Sequence, residues 1–218
     1  MVQISASLLA ADYARLGEEV QCAEAAGVDS FHFDLMDGHY APNIALAPQH
    51  LRALRPYTRL PFHAHLELSN PDDVLERFSP LDADAIIVMW DTLTDPRRAF
   101  ANIHTQGKRA GLSLSPDDPL TAAQQFFPLI DLLLILGVQP GFGGQQIQPK
   151  TFETVAQARY SIESMGLDLP IIVDGGVKQE NAPRLIRAGA NILIIGTALF
   201  QAPDMRVFVE GIKDSVEA

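Results

Sequence analysis

The sequence predicts an α/β protein folded as a single (βα)8 TIM barrel that spans residues 1–218. Short apolar or β-branched runs alternate with longer segments of helical spacing, and there are eight of each. Glycine clusters follow the sixth, seventh and eighth strands, where barrels often bind phosphate. A doubly wound open sheet is the alternative, but its glycine fingerprint would follow the first strand, which here ends in Ser5-Ala6-Ser7.

The predicted elements alternate along the whole chain. The strands are expected at residues 2–6, 28–34, 60–66, 84–89, 109–114, 132–137, 170–174 and 191–196. The helices are expected at residues 12–26, 48–56, 71–79, 94–106, 119–127, 150–165, 179–188 and 204–216. Asp95-Pro96 is typical of a helix start, and Gly27 and Gly189 of the residue just past a helix end. This order predicts a parallel sheet.

The composition excludes several classes of partner. The formal net charge is −11, which disfavours binding to nucleic acid or to an anionic membrane. No run of about 18 apolar residues is present, so no membrane span is expected. A small phosphate ester can still bind, because backbone N–H groups act locally against the overall charge.

The chain has one cysteine, Cys22, so no intramolecular disulfide can form. A reducing compartment is the simpler expectation, and we expect a cytoplasmic protein. Cys22 falls within the first predicted helix and is expected to pack against the core.

Ionisable residues cluster near the ends of three predicted strands. His32 and Asp34 are two apart on strand two and should both point into the barrel. His65 and Glu67 share a face of strand three, and Asp174 ends strand seven at the catalytic rim.

Two imidazoles and two carboxylates suit one divalent ion, zinc first, with manganese, iron(II) or cobalt as further choices. The predicted ligands are His32, Asp34, His65 and Asp174. Each residue alone could be an ordinary buried polar group. Three strands that deliver such residues to one end of the barrel favour a site, because unpartnered buried charges are costly. One layer deeper, His63 is expected to be a hydrogen-bonded core histidine.

Several sequence blocks resemble the ribulose-phosphate 3-epimerase family. They are ISASLLAAD at 4–12, HFDLMDGH at 32–39, PN at 42–43, AHL at 64–66, PGFGGQ at 140–145 and VDGGV at 173–177. They occur in the family's order and span nearly the whole chain. The resemblance implies a barrel of the ribulose-phosphate-binding type, and homo-oligomers are common in the family.

The resemblance also implies a reaction and a set of roles. Asp34 and Asp174 would be metal ligands and also the acid and base that interconvert D-ribulose 5-phosphate and D-xylulose 5-phosphate through a metal-stabilised enediolate. Substrate-binding roles would go to Ser7, Met36, His65, Gly143, Gly144, Gly175, Gly176, Gly196 and Thr197. The glycines would bind the phosphate through main-chain N–H groups, although each alone could be a simple turn residue.

The chain departs from the family pattern at several pocket positions. Glu67 and Leu136 stand where methionines are usual, and Met89 and Asp91 replace a His-x-Glu pair. Glu67 could bind a further hydroxyl, contact the metal or turn outward. Another ketose phosphate, such as a hexulose 6-phosphate, therefore stays open as the substrate.

Two other function classes compete with an epimerase. A barrel aldolase needs a Schiff-base lysine at a strand end, and a phosphate-barrel decarboxylase needs an Asp-x-Lys-x-x-Asp cluster. Lys178 is the nearest lysine, but it is expected to start a helix. A non-catalytic sugar-phosphate-binding barrel also stays open, although binding alone would not require both Asp34 and Asp174.

Overall fold

The computed structural model of the chain describes residues 2–77 and 81–217, and its eight strands form a closed barrel. Each strand is parallel to both neighbours, and the strands follow one another around the barrel in chain order. This closure confirms the predicted fold and excludes the open doubly wound sheet.

The strands are short and almost wholly buried. They are β1 (Gln3–Ser7), β2 (Ser30–Met36), β3 (Phe62–Glu67), β4 (Ala85–Met89), β5 (Arg109–Leu114), β6 (Leu132–Leu136), β7 (Ile171–Asp174) and β8 (Ile192–Ile195). Side chains alternate between the two faces of each strand, so every strand contributes to an inner and an outer layer.

Helices cover the outside of the barrel. They are α1 (Leu16–Ala25), α2 (Pro48–Leu54), α3 (Pro71–Arg77), α4 (Pro96–Thr105), α5 (Leu120–Ala123), α6 (Lys150–Ser164), α7 (Ala182–Ala188), α8 (Thr197–Phe200) and α9 (Met205–Glu217). The Asp95 side chain accepts a hydrogen bond from the N–H of Arg98 at the start of α4, and Gly189 adopts φ 116° at the end of α7. Both signals act as the sequence predicted.

Some predicted helices differ in extent from the observed ones. Helix α7 begins at Ala182 rather than at 179, because the Asn181 side chain closes a turn by binding the N–H of Lys178 and the carbonyl of Gly176. The segment predicted at 119–127 is a short α5 followed by a 3-10 helix that contains Pro128, which has no N–H to donate. Residues 78 and 79 of the helix predicted at 71–79 lie outside the described residues.

The hydrophobic core has two layers. The larger layer lies between the strands and the helices and includes Phe31, Phe33 and Phe62, none of which is exposed. The smaller layer fills the inside of the barrel with residues such as Ile87 and Leu134. The outward face of β2 is therefore apolar, and its inward face is left for polar side chains.

Cys22 corrects one expectation. It is exposed on the solvent face of α1, whereas the buried face of that helix is formed by Leu16, Val20 and Ala23. Over residues 2–77 and 81–217, none of the helices combines the length and the apolar character that crossing a membrane requires.

Candidate active site

Four predicted side chains meet at the end of the barrel where the strands terminate. Ligand atoms of His32, Asp34, His65 and Asp174 all lie within 4.8 Å of one another. Strand register brings the first three together, because Asp34 is directly opposite His65 in the β2–β3 pair. Asp174 reaches the same point from β7, as the last residue of that strand.

His32 lies between the two carboxylates. Its Nε2 is 3.0 Å from an Asp34 oxygen and 3.7 Å from an Asp174 oxygen. His65 Nδ1 is 3.4 Å from the same Asp34 oxygen. The two imidazole ring centroids are 5.3 Å apart, so all four side chains surround one small volume.

The donor set fits a divalent metal ion. Neither ring nitrogen of His32 has a hydrogen-bond partner among the described residues, although Nε2 is close to two carboxylates. Buried polar atoms are usually paired, and a metal ion would use such a lone pair. Ligands of a bound zinc lie about 2.1 Å from the ion, hence about 4 Å apart at most, so the observed spacing needs only small shifts.

Burial and neighbouring charge shift the pKa values of residues in this group. Burial, reinforced by the charge of Asp34, raises the pKa of Asp174 to about 7. Burial opposes ionisation of Asp34 too, but His32 and His65 outweigh it and hold the pKa of Asp34 well below its usual range. Burial also lowers the pKa of His65. The two carboxylates therefore differ in their affinity for a proton.

A cavity of about 270 Å³ adjoins this group. Both Asp34 and Asp174 line it, whereas His32 and His65 are fully buried and do not. Eight of the nine predicted substrate-binding residues line the cavity, namely Ser7, Met36, Gly143, Gly144, Gly175, Gly176, Gly196 and Thr197. The exception is His65, which lies behind the cavity wall.

Ser7 connects the first strand to the group. Its hydroxyl donates a hydrogen bond to Asp34 Oδ2 at 2.9 Å, and both side chains are buried. Asp34 therefore has one oxygen near the two histidines and the other held by Ser7, which fixes the plane of its carboxylate.

Glycine is required where the loops approach the cavity most closely. Gly176 has φ 71°, and a Cβ there would collide with the backbone of Ile147. Gly175 has φ 92°, and a Cβ would meet the Val138 side chain. These backbones can therefore approach a ligand only because they carry no side chain.

Glu67 lies inside the barrel, so the possibility that it turns outward is wrong. It is 2 % exposed, lines the cavity and has Oε1 3.4 Å from His65 Nδ1. Burial, followed by the charges of Asp34 and Asp174, raises its pKa well above the usual range. It lies outside the four-residue group with metal-binding geometry.

The expectation for His63 is wrong in one respect. The residue is buried as predicted, but its Nδ1 has no hydrogen-bond partner in the described part of the chain. Its register partner on β4 is Ala85, whose side chain cannot accept a hydrogen bond. Burial lowers the pKa of His63 to about 3, so the imidazole is neutral near pH 7.

Two neighbours of the site were not predicted. The Met89 sulfur lies 3.1 Å from Nε2 of His65. Alternation along β4 was the signal available, because it places Met89 on the inner face beside β3. Lys178 lines the cavity and lies in a turn before α7, so the expectation that it starts a helix is wrong.

The comparisons with known proteins identify the family. The model of the ribulose-phosphate 3 epimerase family matches residues 3–200. The chain is 37 % identical to the ribulose-phosphate 3-epimerase of Synechocystis, covering 98 % of this chain and 94 % of that protein. It is also 37 % identical to the Bacillus subtilis protein of the same name, covering 99 % and 100 %.

A solved structure supports the fold alone. Phosphoribosyl anthranilate isomerase from Thermus thermophilus superposes with a TM-score of 0.70 at 15 % identity, covering 98 % of this chain and 99 % of that one. The family assignment depends instead on the full-length sequence matches and on the signature blocks that form this site. The chain belongs to the ribulose-phosphate 3-epimerase family and is an isomerase of the kind that acts on carbohydrates.

Proposed function

We propose that the protein epimerises C3 of a ketose phosphate, converting D-ribulose 5-phosphate to D-xylulose 5-phosphate, with Asp34 and Asp174 as the two proton-transfer groups. One observation carries this proposal. Two carboxylates from different strands, β2 and β7, line the same cavity and approach the same histidine, at 3.0 and 3.7 Å.

Inversion at a carbon next to a ketone requires two acid–base groups. One group removes a proton from one face of the carbon, and the other delivers a proton to the opposite face. Asp34 and Asp174 come from β2 and β7 and both line the cavity, so together they can supply the two groups.

We propose that His32, Asp34, His65 and Asp174 hold one divalent ion. Zinc is the first choice for this donor set, and manganese, iron(II) and cobalt also accept it. When bound, the ion supplies positive charge beside the substrate's carbonyl and hydroxyl oxygens, which stabilises an enediolate. Ser7 keeps Asp34 oriented through the 2.9 Å hydrogen bond.

The loops after β6, β7 and β8 are proposed to hold the phosphate. Gly143, Gly144, Gly175, Gly176, Gly196 and Thr197 form one side of the cavity. Their backbone N–H groups supply hydrogen bonds without adding bulk, and Lys178 adds a positive charge to the lining. Met36 and His65 complete the proposed substrate site, Met36 from the lining and His65 from behind the wall.

The sequence also supports proposals about domain organisation, compartment and partners. We propose that residues 1–218 form one barrel domain that acts in the cytoplasm, which the single cysteine supports. The net charge of −11 supports a partner other than nucleic acid. A homo-oligomer is proposed from the family alone.

The proposal is tested by measuring the exchange of the C3 proton of the substrate with solvent. Metal-loaded protein is incubated with D-ribulose 5-phosphate in deuterated water, and the products are followed by NMR. The proposal predicts D-xylulose 5-phosphate that carries deuterium at C3. Normal metal binding without exchange or epimer would contradict it and would leave another ketose phosphate as the substrate or a non-catalytic sugar-phosphate-binding barrel.

A second candidate is C3 epimerisation of another ketose phosphate, such as a hexulose 6-phosphate. Glu67 favours it, because this buried carboxylate lines the cavity where a further hydroxyl could bind. The same exchange experiment with the hexulose 6-phosphate separates the two candidates.

A further inference from the structure

Glu67 is a buried carboxylate that has no part in the proton transfer described above. It is the last residue of β3 and is 2 % exposed, yet it lines the cavity. The two proton-transfer groups are already supplied by Asp34 and Asp174. Glu67 therefore calls for a separate explanation.

The contacts of Glu67 leave it incompletely paired. Oε1 lies 3.4 Å from His65 Nδ1, while Oε2 is buried and has no hydrogen-bond partner among residues 2–77 and 81–217. A buried carboxyl oxygen without a partner destabilises the folded chain. Because Glu67 lines a ligand cavity, a group of the ligand can supply the missing partner.

The barrel topology shows which part of a substrate can reach Glu67. In a closed barrel of eight strands, β3 is four strands away from β7 and therefore on the opposite wall. The glycine loops that line the cavity follow β6, β7 and β8. A sugar whose phosphate lies in those loops directs the other end of its carbon chain toward β3.

Few other polar groups are available on that side. Met36 is the register partner of Glu67 on β2; it lines the cavity, and its side chain makes no strong hydrogen bond. His65 is fully buried behind the wall. Glu67 is thus the lining side chain with a free acceptor on the β3 side of the cavity.

We propose that Glu67 is a specificity residue that hydrogen-bonds the hydroxyl at C1 of the substrate, at the end of the chain opposite the phosphate. The site would then select 1-hydroxy ketose phosphates over their 1-deoxy analogues. This inference rests on the proposed function and deepens it, because it names the substrate group that is recognised.

The test compares deuterium exchange at C3 of D-xylulose 5-phosphate with that of 1-deoxy-D-xylulose 5-phosphate. We expect the wild-type kcat/KM to favour the hydroxylated sugar by roughly tenfold, the effect of one hydrogen bond in a buried site. In Glu67→Met this ratio should fall to near one, and in Glu67→Gln it should be intermediate. Leu136→Met, a change of apolar lining only, is the matched control and should keep the wild-type ratio.

Two measurements without substrate test whether Glu67→Met changes the fold or the metal site. Glu67→Met should raise the melting temperature by about 2–4 °C, because it removes an unpartnered buried carboxylate. Its metal content and metal affinity should equal those of the wild type. A tenfold loss of metal affinity would mean that Glu67 acts on the metal site, as a ligand or through His65, and would overturn the proposal.

The outcomes separate the two proposals. If the wild type exchanges D-xylulose 5-phosphate but Glu67→Met keeps the full preference for the C1 hydroxyl, the specificity role is wrong and the epimerase proposal stands. If the metal-loaded wild type exchanges neither sugar, the epimerase proposal fails and the specificity role fails with it.

Discussion

The inside of the barrel has two unlike walls. The polar wall consists of the inward polar residues of β1, β2 and β3, namely Ser5, Ser7, Ser30, His32, Asp34, His63, His65 and Glu67. The apolar wall consists of the inner apolar residues of β4, β6, β7 and β8, namely Ala85, Ile87, Met89, Leu132, Leu134, Leu136, Ile172, Ile192 and Ile194. Asp174, at the end of β7, is the polar residue on this side. Both walls are buried, so burial does not separate structure from function here.

The difference lies in hydrogen bonding. On the polar wall, Ser5 Oγ, Ser30 Oγ, His32 Nδ1, His32 Nε2, His63 Nδ1 and Glu67 Oε2 have no partner among the described residues. Such atoms lower stability unless a ligand or an ion satisfies them. The apolar wall has few polar atoms to satisfy and contributes to stability by burial alone. The comparison predicts that mutations in the polar wall mainly affect activity and that mutations in the apolar wall mainly affect stability.

Of all the changes considered, metal removal should have the largest effect, and this effect is a loss of catalytic activity. Chelation should lower kcat by on the order of 10³-fold, since stabilisation of developing charge contributes about that much. Zinc, manganese, iron(II) or cobalt should restore the rate. His32→Ala should prevent that restoration and lower the metal content measured by mass spectrometry. His104→Ala, which removes an exposed histidine paired with Asp131, is the matched control and should bind metal normally.

Mutations in the apolar wall should lower the free energy of unfolding rather than the catalytic rate. Leu134→Ala creates a cavity at a fully buried position and should lower the free energy of unfolding by about 2–5 kcal/mol. The kcat per folded chain should stay within about twofold at a temperature where the variant is folded. Urea unfolding gives the first quantity. A cost below about 1 kcal/mol would argue that the apolar wall is not close-packed.

The loop after β2 should show a smaller effect that depends on pH. Asp37 accepts hydrogen bonds from the N–H groups of His39 and Tyr40 and from the N–H and hydroxyl of Ser69, which overcome its partial burial and lower its pKa. A lowered pKa stabilises the fold above the ordinary aspartate pKa, and that stability is lost as the pH falls through the folded value. Asp37→Ala should therefore cost about 1–2 kcal/mol near pH 7 and progressively less below about pH 4.

Thermal unfolding of Asp37→Ala and wild type across this pH range measures the difference. Asp37→Asn, which keeps one acceptor oxygen, is the matched control and should cost less. A difference that grows as the pH falls would contradict the account.

The smallest effect is expected at Ser113 on β5, which lies between the apolar-wall strands β4 and β6. Its hydroxyl is fully buried and lacks a partner in the described part of the chain. Ser113→Ala should leave stability unchanged or raise it by up to about 1 kcal/mol. Ser69→Ala removes a hydroxyl that is bonded to Asp37 and should destabilise instead. If Ser113→Ala destabilised by more than Ser69→Ala, the hydroxyl of Ser113 would have a partner.

Much of this site could be predicted from the sequence, because the positions of its residues follow from patterns within single strands. Two-residue alternation places His32 and Asp34 on one face of β2, and the apolar run before Asp174 ends at the barrel rim. The barrel itself follows from eight strands and eight helical segments in alternation. These inferences need only the periodicity of a strand and the common end of parallel strands.

Features that depend on partners from other strands could not be predicted. Strand alternation predicts the correct face for His63, but whether its Nδ1 has a hydrogen-bond partner depends on the neighbouring strands β2 and β4. Cys22 lies within a helix whose exposed and buried faces are separated only by the final packing. The inward turn of Glu67 and the contact of Met89 with His65 likewise require the assembled barrel.

The most direct test of the central claim neutralises each carboxylate in turn. Metal-loaded Asp34→Asn and Asp174→Asn are incubated separately with D-ribulose 5-phosphate and D-xylulose 5-phosphate in deuterated water, after their metal content is checked. If the two carboxylates serve opposite faces of C3, each variant should lose epimerisation by about 10²–10⁴-fold, and each should retain exchange with only one of the two epimers, a different one in each case. Either variant still epimerising at more than a tenth of the wild-type rate would contradict the two-aspartate mechanism.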